Sequence, residues 1–225
     1  MKTVRRLLLL GIALALVLAA GAVRTEWPGW EELPGLVAGD REQPGEDWRL
    51  LLVNGSHPLP EGYTVSLKEL RNGQQVDQRI YPDLQAMFDA ARAEGLAPLI
   101  ISSYRSREKQ ESLFEERIRE AMDQGMTREE AEANTARWVA LPDRSEHQTG
   151  LALDISAEDG AVWAVYNWMA EHCWEYGFIL RYPEDKAALT GIENEPWHFR
   201  YVGKEAALEL RQSGQCLEEY LNAVG

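Results

Sequence analysis

The sequence predicts an α+β domain in which a small mixed or antiparallel sheet packs with helices. Three observations carry that reading. Short apolar runs with strand character are interspersed with amphipathic helical stretches, their spacing is uneven where βαβ winding would be regular, and no internal repeat is present. The 225 residues suit one domain of moderate size, on a prior of roughly 100–200 residues per domain. With 45% hydrophobic and 27% charged residues the balance is globular, which excludes pervasive disorder and fibrous repeats.

The chain opens with Met1–Arg6, short and basic, followed by the uncharged, proline-free run Leu7–Val23 and then Arg24. This is the pattern of an export signal, with a small-residue cleavage site at Ala20-Gly21-Ala22. As a helix the run spans about 25 Å, slightly less than a hydrocarbon core of about 30 Å, so an uncleaved membrane anchor is the other reading. No cysteine follows Leu18-Ala19-Ala20-Gly21, so lipid attachment is not indicated. Residues 1–24 are thus a signal peptide or N-terminal anchor. With Lys2, Arg5 and Arg6 retained in the cytoplasm, the remainder lies outside, in the cell envelope. Residues 25–46, rich in Pro, Gly and acidic side chains, read as a flexible linker, and 47–225 as the domain.

Within the domain, Asp47–Asn54 is a short apolar run, closed by the turn signals Asn54-Gly55-Ser56 and Pro58-Leu59-Pro60. Leu84, Met87, Phe88 and Ala91 recur at helical spacing from Ile80 to Gly95. Ala97–Ser103 is a buried strand centred on Leu99, Ile100 and Ile101. A long helix follows Ser106, with Leu113, Phe114, Ile118, Ala121 and Met122 on one face, and stops at Gly125. Thr127-Arg128-Glu129-Glu130 has the form of a capping box, so another helix starts there. Leu151–Ser156 alternates as a strand, Ala161–Tyr176 is helical, and Phe178–Tyr182 and Trp197–Val202 are strands. Gly203 precedes a final helical stretch.

Net charge is −14, and such a surface repels a phosphate backbone, whose binding needs clustered Lys and Arg; nucleic acid is excluded as a partner. Cys173 and Cys216 fall in the exported portion, where an even count leads us to expect a disulfide between them.

The chemistry concentrates in Ser145–Asp154 and Glu195-Pro196-Trp197-His198. In the first strand Ala152, Asp154 and Ser156 share the face opposite Leu151, Leu153 and Ile155, so Asp154 projects among small neighbours. In the second, His198 and Arg200 share one face. If the strands pair, His198 and Asp154 converge, with His147 arriving from the preceding loop. Two imidazoles and one carboxylate form the ligand set of a catalytic zinc, whereas magnesium or calcium prefers oxygen throughout. Zinc activates water but leaves its proton to a base. Glu195, three residues before His198, would face the wrong way on a regular strand; a turn at Pro196 swings it toward the metal. Arg105, after the Ala97–Ser103 strand, is placed to polarise a substrate carbonyl.

Together Tyr104-Arg105-Ser106, the Ser-x-His-x-x-Gly-x-Ala-x-Asp run at Ser145–Asp154 and Glu195-Pro196-Trp197-His198 resemble the VanY-type zinc D-alanyl-D-alanine carboxypeptidases, from about Leu52 to Leu221. The resemblance implies a hedgehog/DD-peptidase-like fold and removal of the terminal D-alanine from peptidoglycan stem peptides. By position it implies His147, Asp154 and His198 as zinc ligands, Glu195 as base and Arg105 as stabiliser of the tetrahedral intermediate, with Ser145 and Gln110 helping to hold substrate. An L,D-carboxypeptidase acting on tetrapeptides and a non-catalytic zinc-bearing wall-binding module are the alternatives. A monomer is expected. His172 and His57 read as local structural residues, and Trp163, Trp168 and Trp197 as core.

Overall fold

A computed structural model describes residues 47–224. The signal or anchor segment and the linker lie outside the described residues; among the described residues no helix is long and apolar enough to cross a membrane.

The elements run in the order β1 (Leu67–Glu69), β2 (Gln75–Asp77), α1 (Tyr81–Ala93), β3 (Pro98–Ser102), α2 (Arg107–Asp123), α3 (Arg128–Thr135), β4 (Ala152–Ala157), α4 (Val162–His172), β5 (Phe178–Leu180), α5 (Ala187–Thr190), β6 (His198–Tyr201), α6 (Lys204–Ser213) and α7 (Leu217–Val224). The main sheet is antiparallel with strand order β3-β4-β6-β5, and β1 and β2 form a separate hairpin. One face of the sheet packs on α1 and α4 through Leu153, Ile155, Phe199, Met87, Phe88, Val165 and Met169. A second cluster joins Ile179 and Val202 to α6 and α7, and a third lies between α2 and α3 around Phe114, Ile118 and Ala131.

Local signals explain most boundaries. Ser106 caps α2 by accepting from the Lys109 N–H, and Thr127 with Glu130 closes the expected capping box on α3. The helix expected over Ala161–Tyr176 tightens into a 3-10 turn from Cys173, and Gly177 at φ 83° ends it. The final helical stretch is two helices, separated at Gly214.

Several expectations are corrected. Ile101 is exposed because β3 is an edge strand whose register slips between Ile100 and Ser102. Met122 is exposed on the last turn of α2, and Trp163 stands out from α4 with its edge against Tyr166; only Trp168 of the α4 pair is core. Cys173 and Cys216 are free thiols. Cys173 belongs to the main core and burial pushes its thiol up to about 12, whereas Cys216 lies at the start of α7, its N–H donated to Glu219.

Candidate metal centre and active site

The site lies where β4 and β6 pair. Their register sets Asp154 directly opposite His198, so the two side chains leave the sheet from one face. His147 arrives on a 3-10 turn, Glu146–Thr149, that ends at Gly150 with φ 75°. A Cβ at that position would sit 2.8 Å from the Asp77 backbone nitrogen, so glycine is required both for the left-handed conformation and for the close approach of β2. Glu195 enters through the anticipated turn. The His198 N–H donates to the Glu195 carbonyl at 3.1 Å, and β6 therefore begins at His198, one residue after the expected start. Trp197 is consequently not a core strand residue; it lines the cleft.

The ligand atoms of His147, Asp154 and His198 lie within 4.8 Å of one another. His147 Nε2 is 3.4 Å from Asp154 Oδ2, and His198 Nδ1 is 3.1 Å from Asp154 Oδ1. His147 Nδ1 is 2.7 Å from the Ser103 carbonyl oxygen, which can only accept; Nδ1 therefore carries the proton and Nε2 offers its lone pair inward. Asp154 Oδ1 is buried without a hydrogen-bond donor. A buried carboxylate set between two imidazoles with one oxygen left in this way fits a cation, and the N/N/O donor set suits zinc.

Burial would raise the Asp154 pKa, but His147 and His198 outweigh it and hold the carboxyl well below the usual carboxylate range. Burial brings His147 down to about 4, against the pull of Asp154. For His198 burial acts downward too, yet the nearby carboxylates of Asp154 and Glu146 carry it up to about 9. Glu195, with Oε2 3.4 Å from His198 Nδ1, is raised to about 7 chiefly by burial, helped by Asp154 and opposed by His198 and Arg105. A carboxylate poised near neutrality is suited to taking and returning a proton.

Arg105 follows β3 and approaches Asp154 Oδ2 at 3.5 Å. Its Nη1 donates to Gln110 Oε1 at 2.8 Å, and Gln110 Nε2 donates to the Ala140 carbonyl at 2.6 Å. Gln110 is fully buried with both ends of its amide engaged, so what it touches is the arginine and the chain after α3. Ser145 is buried at the cleft. The cleft, of about 270 Å³, gathers the three ligands, Glu195, Arg105 and Ser145 with Tyr182 at its wall. The Tyr182 ring lies 4.7 Å from that of His198. His172 pairs with Glu175 and His57 with Asn54, both locally, as expected.

One group escaped sequence reasoning. Glu146, beside the first ligand, is fully buried and accepts from Arg181 Nε at 2.8 Å and Arg200 Nη1 at 2.9 Å. Arg181 goes on to Glu218 at 2.7 Å, and Arg200 Nη2 donates to the Arg49 and Leu51 carbonyls. The signal lay in the alternation already noted, which sets Arg200 on the His198 face of β6 and so calls for a buried anion nearby.

Comparison with known proteins agrees with this geometry. Residues 73–204 match the VanY family, described as D-alanyl-D-alanine carboxypeptidase. A D-alanyl-D-alanine carboxypeptidase of Enterococcus faecalis is 49% identical over 179 residues, covering 79% of this chain and 67% of the relative. The solved structure of VanYB in complex with D-alanine-D-alanine is 49% identical and superposes with a TM-score of 0.77 over 78% of this chain and 98% of that one. A VanY variant in complex with Zn(II), a D,D-pentapeptidase from a VanB-type resistance cassette, gives 0.75 at 49% identity over 78% and 99%. The chain belongs to the VanY family of D-alanyl-D-alanine carboxypeptidases.

Proposed function

We propose that this chain is a zinc-dependent D,D-carboxypeptidase that removes the C-terminal D-alanine from peptidoglycan stem peptides ending in D-Ala-D-Ala. The observation that carries the reading is the joint presence, in one cleft, of the His147/Asp154/His198 donor set and a buried base, Glu195, raised to about 7. A non-catalytic zinc module needs no such base. When bound, zinc supplies Lewis acidity and lowers the pKa of the attacking water.

The chain's own residues do the rest. Glu195 Oε2 takes the water proton and returns it to the departing D-alanine nitrogen. Arg105, fixed by Gln110, donates from its guanidinium to the carbonyl oxygen as negative charge develops there. Ser145 offers the cleft a hydroxyl for the peptide or its terminal carboxylate. We place the domain outside the cytoplasmic membrane as a monomer, led there by the N-terminal segment as a cleaved signal or retained tether. The basic start and apolar run of that segment support the placement.

The test is mass spectrometry of the zinc-loaded protein with a stem pentapeptide ending in D-Ala-D-Ala and with the tetrapeptide. Loss of one alanine from the pentapeptide alone is expected; loss from the tetrapeptide alone would move the activity to L,D trimming. Glu195→Gln is expected to retain zinc while turnover drops by at least ~10²-fold, and near-normal turnover would refute the assigned base.

A further inference from the structure

His147 and His198 present different nitrogens to the site. His147 uses Nε2, because Nδ1 is spent on the Ser103 carbonyl; His198 uses Nδ1, which faces Asp154 and Glu195. For His198 to ligate through Nδ1, its proton must stay on Nε2. Free imidazole exchanges between its two tautomers, and an acceptor facing Nε2 would favour that choice before the metal arrives and hold the ring in place afterwards.

Among the described residues one carboxylate is placed to do so. Glu146 Oε2 lies 3.6 Å from His198 Nε2. Both atoms are fully buried, and neither has a hydrogen-bond partner within ordinary distance. The reason Oε2 is free lies on the other side of the carboxylate, where Arg181 Nε and Arg200 Nη1 both converge on Oε1. Two buried guanidiniums hold one oxygen and leave the second aimed at the imidazole. Arg181 is held in turn by Glu218 through both terminal nitrogens, at 2.9 and 2.7 Å, and Glu218 accepts from Asn54 Nδ2 at 3.0 Å. Arg200 is fixed from the other end of the domain, by the Arg49 and Leu51 carbonyls. The carboxylate is therefore anchored by α7 and by the start of the domain.

We propose that Glu146 is the positioning residue for the metal ligand His198: its Oε2 accepts the Nε2 proton, fixes the imidazole tautomer and aims Nδ1 at the metal. The inference rests on the zinc reading above and extends it to a residue outside the ligand set. Its role is distinct from that of Glu218, which balances Arg181 without facing the imidazole. Partners of this kind set ligand basicity and orientation, and losing one commonly lowers metal affinity by about 10- to 100-fold.

The experiment is chelator competition for zinc on the purified full-length protein and on its Glu146→Gln and Glu218→Gln variants, with thermal melting in parallel. A glutamine at 146 can turn its amide toward Nε2 and favour the wrong tautomer. Glu146→Gln is expected to lose about 10- to 100-fold in zinc affinity. Glu218→Gln is expected to melt earlier while holding zinc nearly as well as the parent. Equal losses of affinity in both variants, or none in Glu146→Gln, would overturn the proposal. The unmutated zinc-loaded protein gives an independent reading that needs no variant to fold. In ¹⁵N-histidine spectra His198 should be metal-bound at Nδ1 with its Nε2–H proton shifted downfield as a hydrogen-bonded donor, and a free Nε2–H, or ligation through Nε2, would refute the assignment. Turnover does not enter these measurements, so they fail separately from the carboxypeptidase reading.

Discussion

Replacing Gln110 by methionine separates two roles for a residue at the wall of the cleft. The substitution nearly conserves volume, so the cavity contribution is small. It removes the acceptor 2.8 Å from Arg105 Nη1 and the donor 2.6 Å from the Ala140 carbonyl. A hydrogen bond to a charged group contributes about 1.5–3 kcal/mol and a neutral one about 1 kcal/mol, and the Arg105 side chain is only 15% exposed, so water replaces little of the first. The loss is expected to reach roughly 2–4 kcal/mol, or about 4–16 °C in melting temperature for a domain of this size. Arg105 keeps its charge but loses its tether. Removing an oxyanion donor outright costs about 10²–10³ in kcat, so a loosened donor should cost about tenfold or more, with KM little changed. Steady-state kinetics on the pentapeptide, alongside thermal melting, would measure both. A raised KM with intact kcat would mean that Gln110 contacts the substrate directly, and an unchanged melting temperature would mean that its hydrogen bonds contribute no net stability.

Zinc affinity should weaken as pH falls. His198, carried up to about 9, holds a proton that the metal must displace, whereas His147, brought down to about 4, is already neutral at working pH. Between pH 8 and 6 the apparent affinity is expected to drop at least about tenfold per unit, which chelator competition at a series of pH values would record. Gly150→Ala should lower both stability and zinc affinity. The left-handed backbone costs an alanine about 1–2 kcal/mol, the new Cβ meets the Asp77 nitrogen at 2.8 Å, and the turn that yields is the one carrying His147. Melting and zinc titration together test this, and a variant that matched the parent in both would remove the structural reason given for the glycine.

Much of the site was legible because the relevant rules are local. Strand parity put Asp154 and His198 on the same face of neighbouring strands, and Pro196 explained how Glu195, three residues away, could reach the same cavity. The α3 capping box was readable from four residues. The rest depended on information that a single chain does not display locally. The three-residue strands of the β1–β2 hairpin are too short to show a period. Ile101 and Trp163 are apolar residues at positions whose exposure is decided by which strand forms the sheet edge and how α4 rotates onto the core. Glu146, Arg181 and Arg200 look like solvated charges in sequence, and only their convergence makes their burial tolerable. Gln110 was expected to help hold the substrate, whereas its amide is engaged by Arg105 and the Ala140 carbonyl, contacts that only the fold brings about.

The pairing of β4 with β6 also dictates when the centre can exist during the life of the chain. His147 and Asp154 are neighbours in sequence and emerge together, but the third ligand comes after α4, β5 and α5 have been made. A growing polypeptide that has not yet reached His198 holds an incomplete donor set, and a finished one still lacks the centre until β6 zips against β4. On the proposed ligand set, the metal can be held by all three residues only once the sheet is complete. Any route that carries the chain unfolded through a membrane would deliver it without its ion and leave loading to whatever zinc the destination supplies.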